Sequence, residues 1–378
     1  MRDYLPILDD SLGTYVFFIF LCFVGIQLLH TLFIFGRLAF HRNNKEKQKE
    51  LPPVSIIIAA RNESENIHKF LPFILEQDYP EYEVIVVNHQ SIDDSQYVLN
   101  ALERQYPKLS TVKVERSQHL KYGKKLPLTL GIKRAKYEHM LFTDADCKPA
   151  SNQWIKGMVA NFSKKKQIVL GYGPYEKRKG LLNFLIRFDT AWIAMNYMSM
   201  AKSGLPYMGI GRNMAYTKTV FDNVNGFKSH YAISSGDDDL FIQEAAKKGN
   251  YTINNDPNSY CYSPAPKTWK EWFNQKSRHY TTSERYKVIK KLMLGIYPLT
   301  LLLLNISFVI LLLDPNFFWI TLASYSLLLI IKWFVLGRAM RQLNEKNFIA
   351  LMPIMDIVYA ILAPTMYYAI DKKELEKW

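Results

Sequence analysis

The chain has 378 residues and carries 48 Lys and Arg against 34 Asp and Glu, a formal net charge of +14. Its composition, with 49% hydrophobic residues and a mean hydropathy of −0.11, excludes a disordered chain, collagen and a coiled coil. A basic chain binds either nucleic acid or an anionic membrane surface. A near-neutral mean hydropathy can also arise from apolar segments averaged with a polar domain. The distribution of residues along the chain must therefore decide between these two partners.

An uncharged segment, residues 12–35, lies near the N-terminus. At about 1.5 Å per residue it is long enough to cross the roughly 30 Å hydrocarbon core. A signal peptide would instead have a basic start and a small-residue cleavage site, whereas Asp3, Asp9 and Asp10 precede this segment. We therefore predict an uncleaved membrane helix.

Three further apolar segments, residues 292–313, 317–336 and 348–370, lie near the C-terminus. Lys332 lies near the end of the second and is predicted to reach the interface with its ammonium. Asp356 lies inside the third, where an acidic residue indicates function. Because prolines interrupt that segment, an interfacial or re-entrant helix is the alternative.

The membrane segments divide the chain into three parts: 1–50, a membrane helix and basic linker; 51–286, a polar domain; and 287–378, a C-terminal membrane region. Basic clusters flank the polar domain, so we predict that it faces the cytoplasm of a multi-pass cell (inner) membrane protein. The lysines of residues 371–378 would then lie outside, which fits less well. Three cysteines form no even disulfide framework, which agrees with a reducing compartment.

The polar domain alternates predicted strands and helices. The strands are 54–60, 83–88, 110–115 and 139–143, and the helices are 64–77, 93–106 and 124–136, with Ser64 as a candidate N-cap. This alternation predicts an α/β domain with a doubly wound sheet. Ligands of such sheets bind beyond the carboxyl ends of the strands.

Asp144 and Asp146 directly follow the fourth predicted strand. Carboxylate oxygens bind Mg²⁺ or Mn²⁺ together with substrate phosphates, and such a metal neutralises a diphosphate leaving group. A D-x-D turn without a metal is the alternative, but the position after a buried strand favours the metal site.

Four stretches together resemble glycosyltransferase family 2 with a GT-A fold. They are SIIIAARNE at 55–63, GKKLPLTLGI at 123–132, FTDAD at 142–146, and GRNMA at 211–215 followed by Gly226 and Phe227. The resemblance implies a nucleotide-sugar transferase domain with a doubly wound mixed sheet. It also implies that Asp144 and Asp146 hold Mg²⁺ or Mn²⁺, and that transfer inverts the anomeric configuration.

The segment around Asp237 and Asp238 resembles the family's E-D motif, whose aspartate is the general base. The best match places the base on Asp238, although spacing alone does not separate it from Asp237. Clustered carboxylates raise the pKa of one member, which suits proton abstraction near neutral pH. Either residue could also cap a helix over 239–247.

Gln275 and Arg278 resemble a Q-x-x-R-W motif that lies over the acceptor and diphosphate in the family. His279 replaces the tryptophan that is associated with processive synthases, so we expect non-processive transfer. The aromatic and basic residues near 267–280 predict either a helix at the membrane surface or an ordinary domain helix.

The resemblance and the strand ends together predict the substrate-binding residues. Lys124 is expected to reach a phosphate. Asn88 and His89 replace acidic residues common in the family, which leaves the nucleobase open; Asn88 suits a UDP-sugar, and His89 is a nucleotide contact, a loop residue or a metal ligand. The predicted substrate-binding residues are Ala60, Asn62, Glu63, Asn88, Ser91, Asp93, Lys124, Asp144, Gly211, Asn213, Gln275 and Arg278.

The sequence thus predicts a metal-dependent, inverting, non-processive hexosyltransferase. Its donor would be a UDP-sugar and its acceptor a hydroxyl on a lipid or polyprenol-linked molecule. The alternatives are a polyprenyl-phosphate sugar transferase, a polysaccharide synthase, or a non-catalytic membrane scaffold. A nucleic-acid partner is not expected, because no nucleic-acid-binding motif accompanies the positive charge.

Overall fold

The computed structural model describes residues 11–42, 51–117 and 123–369. The acidic N-terminal residues, most of the basic linker and the lysine-containing tail lie outside these residues. The chain forms two compact units, one from its two ends and one from the polar middle, which ends at Arg285.

The first helix is α1 (Leu12–His30). Ser11 is its N-cap, and the Ser11 Oγ accepts the N–H of Thr14 at 3.4 Å. The helix continues through a π-helical turn, Thr31–Phe35, into α2 (Gly36–Ala39). This continuous stretch is long and apolar enough to cross a membrane.

The described residues of the polar middle contain nine strands: β1 (Val54–Ala60), β2 (Tyr82–His89), β3 (Leu109–Val114), β4 (His139–Asp144), β5 (Lys148–Pro149), β6 (Ile168–Leu170), β7 (Met214–Thr217), β8 (Tyr251–Ile253) and β9 (Cys261–Tyr262). Seven form one mixed sheet in the order β3-β2-β1-β4-β7-β6-β8. The first four strands are parallel, as predicted, and β7 runs antiparallel to β4 and β6. Strands β1 and β2 are buried along their whole length, which explains their unbroken apolar runs.

The helices of this unit cover both faces of the sheet. They are α3 (Ser64–Leu75), α4 (Ser95–Gln105), α5 (Lys125–Arg134), α6 (Trp154–Val159), α7 (Leu181–Lys202), α8 (Lys218–Asn223), α9 (Asp239–Ala245) and α10 (Trp269–Ser283). Side chains of α3, α4 and α6 form the main core with β1 and β2. Helix α5 packs closely against β1 and β2. A Cβ at Gly131 would lie 2.6 Å from Ile57 Cγ2 and 3.4 Å from Val87 Cγ2.

The predicted cap of α3 is wrong. Ser64 is the first helical residue, and Glu63 occupies the cap position without a capping side-chain bond. The Ser64 N–H instead donates to Asp93 Oδ2 at 3.0 Å. A carboxylate from the loop after β2 therefore satisfies the start of α3, because parallel β1 and β2 bring their following loops together.

The C-terminal helices are α11 (Val288–Leu312), α12 (Phe318–Gln342) and α13 (Met352–Ala369), the last preceded by a 3₁₀ turn, Lys346–Leu351. With the N-terminal helix they make four helices, within the part of the chain that the structure describes, that are long and apolar enough to cross a membrane. This agrees with the predicted one N-terminal and three C-terminal apolar helices.

A buried polar network joins these four helices. Lys332 Nζ lies 2.6 Å from Asp356 Oδ2 and 2.9 Å from Gln27 Oε1. The Tyr297 hydroxyl donates to Asp356 Oδ1 at 2.8 Å, and Gln27 Nε2 donates to the Tyr297 carbonyl at 2.9 Å. Lys332 and Asp356 are each 3% exposed. The prediction that Lys332 extends to the interface is therefore wrong, because its ammonium turns inward to these partners.

Candidate functional site

The predicted metal-binding carboxylates meet at the carboxyl end of β4. Asp144 is the last residue of that strand, and a turn closed by the Cys147 N–H bonding to the Asp144 carbonyl brings Asp146 back toward it. Ligand atoms of Asp144, Asp146 and Cys147 all lie within 4.8 Å of one another. Both carboxylates are partly exposed and Cys147 is buried. Two carboxylates at this spacing fit a Mg²⁺ or Mn²⁺ ion.

The two carboxylates differ in their surroundings. Burial acts to raise the pKa of Asp144, but Lys124, Arg212 and Arg278 outweigh it and lower that pKa. Lys124 Nζ lies only 2.6 Å from Asp144 Oδ1. The pKa of Asp146 is raised by desolvation and by the adjacent Asp144 carboxylate. A divalent cation would relieve the repulsion between the two acids.

The second carboxylate pair lies at the start of α9. Asp238 Oδ2 accepts the N–H of Gly211 at 3.0 Å, and its Oδ1 accepts the N–H of Asp239 at 2.8 Å. The predicted capping role is confirmed for Asp238, although the helix ends at Ala245. Burial, followed by the charges of Asp237 and Asp239, raises the pKa of Asp238 to about 8. This carboxyl can therefore accept a proton near neutral pH.

Gly211 lies beside both acids of this pair and contacts Asp238 through its N–H. A Cβ at this position would lie 3.5 Å from Asp237 Oδ2 and 3.6 Å from Asp238 Oδ2. The structure therefore brings three predicted site residues together, with the backbone N–H of Gly211 as the contact.

The loops after β1 and β2 are joined by three predicted substrate-binding residues. The Asn62 N–H donates to Ser91 Oγ at 2.9 Å, and Asn62 Oδ1 accepts the N–H of Ile92 at 2.8 Å. Asp93 accepts the N–H of Ser64, as described above. Asn62 adopts φ 54°, a conformation that asparagine tolerates better than most residues. These bonds shape the edge of the site, and direct contact with substrate stays a prediction.

Ala60 and Glu63 lie at the same strand end. Ala60 is the buried last residue of β1. The Glu63 N–H donates to Ser95 Oγ at 3.0 Å, and its Oε2 accepts from Asn66 Nδ2 at 2.5 Å. Burial is the main reason that the pKa of Glu63 rises to about 7. Glu63 is thus another carboxyl with a raised pKa, at the end of β1.

Asn88 and His89 end the buried strand β2. Asn88 Nδ2 donates to Gln96 Oε1 at 2.8 Å, while Asn88 Oδ1 has no hydrogen-bond partner among the described residues. Burial and the nearby Arg61 lower the pKa of His89 to about 4, so its imidazole is neutral. The free Asn88 oxygen is an acceptor that a donor group of a bound nucleotide would satisfy.

Helix α10 contributes Gln275 and Arg278. Gln275 Nε2 donates to the Tyr175 hydroxyl at 2.8 Å. The guanidinium of Arg212 lies 4.3 Å from the centroid of the Tyr175 ring and donates to Ser263 Oγ at 2.9 Å. Both arginines are close enough to Asp144 to lower its pKa. Arg212 was not among the predicted residues, and its only sequence signal is a charge between Gly211 and Asn213.

Two buried contacts anchor α10 within the polar unit. The Lys276 ammonium forms an ion pair with Asp189 of α7. Near the other end of α10, Thr282 Oγ1 donates to Asp239 Oδ2 at 2.5 Å. Trp269 and Phe273 are exposed on the same helix. The location of this helix at a membrane surface stays a prediction.

Asn213 is buried inside the wall of the site. Its Nδ2 donates to the carbonyls of Tyr172 and Ser259 at 2.7 and 2.8 Å, and its Oδ1 accepts from Trp154 Nε1 at 3.0 Å. These bonds connect the 3₁₀ turn before β7 (Gly211–Asn213) with α6, the loop after β6 and the loop before β9. A substrate contact of Asn213 stays a prediction.

Known proteins resemble this chain in sequence and in fold. A probable glycosyltransferase, YdaM of Bacillus subtilis, is 26% identical over 297 residues, covering 74% of this chain and 68% of that protein. The beta-monoglucosyldiacylglycerol synthase of Trichormus variabilis is 31% identical over 175 residues, covering 44% of this chain and 34% of that protein.

Among solved structures, the mannosyltransferase PcManGT of Pyrobaculum calidifontis, in complex with GDP-Man and Mn²⁺, superposes with a TM-score of 0.56 and 18% identity. It covers 93% of this chain and 99% of that one, which supports the same GT-A architecture. The profile of the family described as "Glycosyltransferase like family 2" matches residues 52–282, more than half of the chain. The chain therefore belongs to glycosyltransferase-like family 2 and has a GT-A fold with four apolar helices.

Proposed function

We propose that this protein transfers a sugar from a nucleoside-diphosphate donor to a hydroxyl of a membrane-associated acceptor, with inversion at the anomeric carbon. The observation that carries the proposal is the pairing of Asp144 and Asp146, which lie beside Lys124. The raised pKa of Asp238 supplies the second requirement, a base that works near neutral pH.

Asp144 and Asp146 would hold Mg²⁺ or Mn²⁺, which neutralises charge on the diphosphate. Lys124 and Arg278 bind the phosphate oxygens. Asp238, with Asp237 beside it, accepts the proton of the acceptor hydroxyl. The hydroxyl oxygen bonds to the anomeric carbon as the bond to the diphosphate oxygen breaks, and the nucleoside diphosphate leaves with that electron pair.

The donor is proposed to be a UDP-sugar that places its base near Asn88, whose free carbonyl oxygen can accept from a base N–H. A GDP-sugar is the competing donor, because PcManGT was solved with GDP-Man. The pattern of basic residues supports a cytoplasmic site, and His279 supports single rather than processive transfer.

The acceptor is proposed to be a lipid or a polyprenol-linked molecule. Four apolar helices would hold the transferase at the membrane. The relative named beta-monoglucosyldiacylglycerol synthase is consistent with a lipid product.

The test uses the full-length protein in detergent with MnCl₂, a panel of UDP- and GDP-sugars, and an extract of membrane lipids. Metal-dependent sugar transfer is expected for the wild type, and Asp146→Asn and Asp238→Asn should each lose about 10²–10⁴-fold in rate. Asp222→Asn, at an exposed position, is the control. Undiminished transfer by both site variants would refute the assignment.

A further inference from the structure

Lys125 lies next to Lys124 at the start of α5 but is only 3% exposed. Its Nζ donates to three backbone carbonyls, those of His230 at 2.6 Å, Ile233 at 2.8 Å and Ser235 at 2.7 Å. An ammonium has three N–H donors, so these carbonyls can satisfy all of them. A buried cation is stable only with such compensation.

The segment that Lys125 holds has little regular structure of its own. Residues 231–238 form turns and bends between the 3₁₀ turn Lys228–His230 and α9. A Cβ at Gly123, which has φ 153°, would lie 3.0 Å from the Ser234 carbonyl oxygen, so the backbone before α5 also lies against this segment. Three carbonyls that converge on one ammonium restrict a loop that would otherwise be free to vary.

This restricted segment ends at Asp237 and Asp238. At the same helix start, Lys124 Nζ pairs with Asp144 Oδ1 at 2.6 Å. Two consecutive side chains, from the N-cap residue and the first residue of α5, therefore contact the metal-binding pair and the segment that leads to the base. The start of α5 thereby sets the spacing between these two groups.

We propose that Lys125 is a positioning residue for the general base: it holds residues 230–235 so that the Asp238 carboxylate reaches the acceptor hydroxyl. This inference rests on the proposed function. Because a displacement of about 1 Å can cost roughly 100-fold in rate, the loss of three such bonds should affect catalysis more than donor binding.

The test compares Lys125→Met, Lys125→Arg and Lys133→Met in the full-length protein. Lys133 is exposed on the same helix and serves as the matched control. We expect Lys125→Met to lower kcat by about 100-fold with an unchanged KM for the donor. The rise in Tm caused by MnCl₂ with UDP or GDP should equal that of the wild type. Lys125→Arg should recover part of kcat, and Lys133→Met should match the wild type.

Three results would overturn the role of Lys125: wild-type kcat in Lys125→Met, equal losses of kcat and of the nucleotide-induced Tm rise, or failure of both Lys125 variants to fold. Loss of the nucleotide-induced Tm rise would assign Lys125 to nucleotide binding, and failure to fold would assign it to stability alone. An inactive wild type would instead refute the proposed function, so the two failures are distinguishable.

Discussion

The ammonium of Lys124 lies 2.6 Å from Asp144 Oδ1, so the metal-binding pair already contains a positive charge of the protein itself. Burial acts to lower the pKa of Lys124, but the charges of Asp144 and Asp237 outweigh it and raise that pKa. Lys124 therefore stays protonated, and we expect it to compete with a free divalent cation for Asp144. Once a nucleotide is bound, we expect the Lys124 ammonium to contact the diphosphate instead of Asp144.

Lys124→Met should separate these two effects. Without nucleotide, we expect Mn²⁺ to bind roughly tenfold more tightly, about 1.4 kcal/mol, because its competitor is gone. With the nucleoside diphosphate present, Mn²⁺ should bind the variant more weakly than the wild type, because the ammonium that contacts the phosphate is gone. Titration of free Mn²⁺ by electron paramagnetic resonance measures both, with Lys133→Met as the control. Unchanged or weaker binding of Mn²⁺ alone would contradict the competition.

The acidic limb of the pH–rate profile should report Asp238. Its pKa is raised to about 8, so transfer should increase about tenfold per pH unit below that value and level off above it. Asp238→Asn should remove this limb along with most of the activity, whereas Asp222→Asn should keep it. A profile that is flat between pH 6 and 8 in the wild type would argue against this base.

The raised pKa of Asp238 also predicts how the stability of the protein depends on pH. The pKa of Asp238 lies above the ordinary value of 3.8, so the folded state binds the proton more tightly than the unfolded state does. Stability is therefore lost as pH rises from about 4 to about 8. Relative to the wild type, Asp238→Asn should gain Tm across that interval, measured by thermal unfolding at pH 5 and pH 9. An equal Tm difference at both values would exclude the linkage.

The stability of the unit formed by the two chain ends should depend on the buried ion pair between Lys332 and Asp356. Asp356→Asn leaves a buried ammonium without its counter-ion, which costs about 3–5 kcal/mol. Replacing both residues, as Lys332→Met with Asp356→Leu, should cost less, because no charge remains buried. Thermal unfolding in detergent of the wild type, the single variant and the double variant tests this order. A double variant that is less stable than Asp356→Asn would contradict it.

Gly131 should resist substitution because α5 lies close to the sheet. A new Cβ would lie 2.6 Å from Ile57 Cγ2, so Gly131→Ala is expected to cost about 1–3 kcal/mol. Gly295→Ala is the matched control. Gly295 lies in α11, and no described atom lies within 4 Å of an added Cβ there. The control should be neutral or slightly stabilising through helix propensity. Equal Tm values for both variants would show that α5 can shift at little cost.

Much of the polar unit was predictable because its signals are local. The apolar run at 54–60 predicts a strand buried on both faces, and β1 has those bounds. Polar residues after parallel strands share one edge of the sheet, which is why Asn62 contacts Ser91 and Ser64 contacts Asp93. Asp144 ends β4 for the same reason.

The missed features involve partners distant in sequence. Ser64 resembles a cap locally, but Asp93 satisfies its N–H from another loop. Lys332 looks like an interfacial lysine until Asp356 and Gln27 are placed beside it. Lys125 resembles an ordinary surface lysine in the sequence, because no pattern shows that backbone carbonyls 105 to 110 residues away surround its ammonium.

The bond from Gln27 to the Tyr297 carbonyl joins groups that are 270 residues apart. At roughly 5–20 residues per second, ribosomal synthesis separates their appearance by about 15–50 seconds. During that interval α1 remains without this partner, while the whole polar domain is synthesised. The final bundle can close only after the polar domain has been made, so biogenesis couples the completion of the anchor to that of the domain.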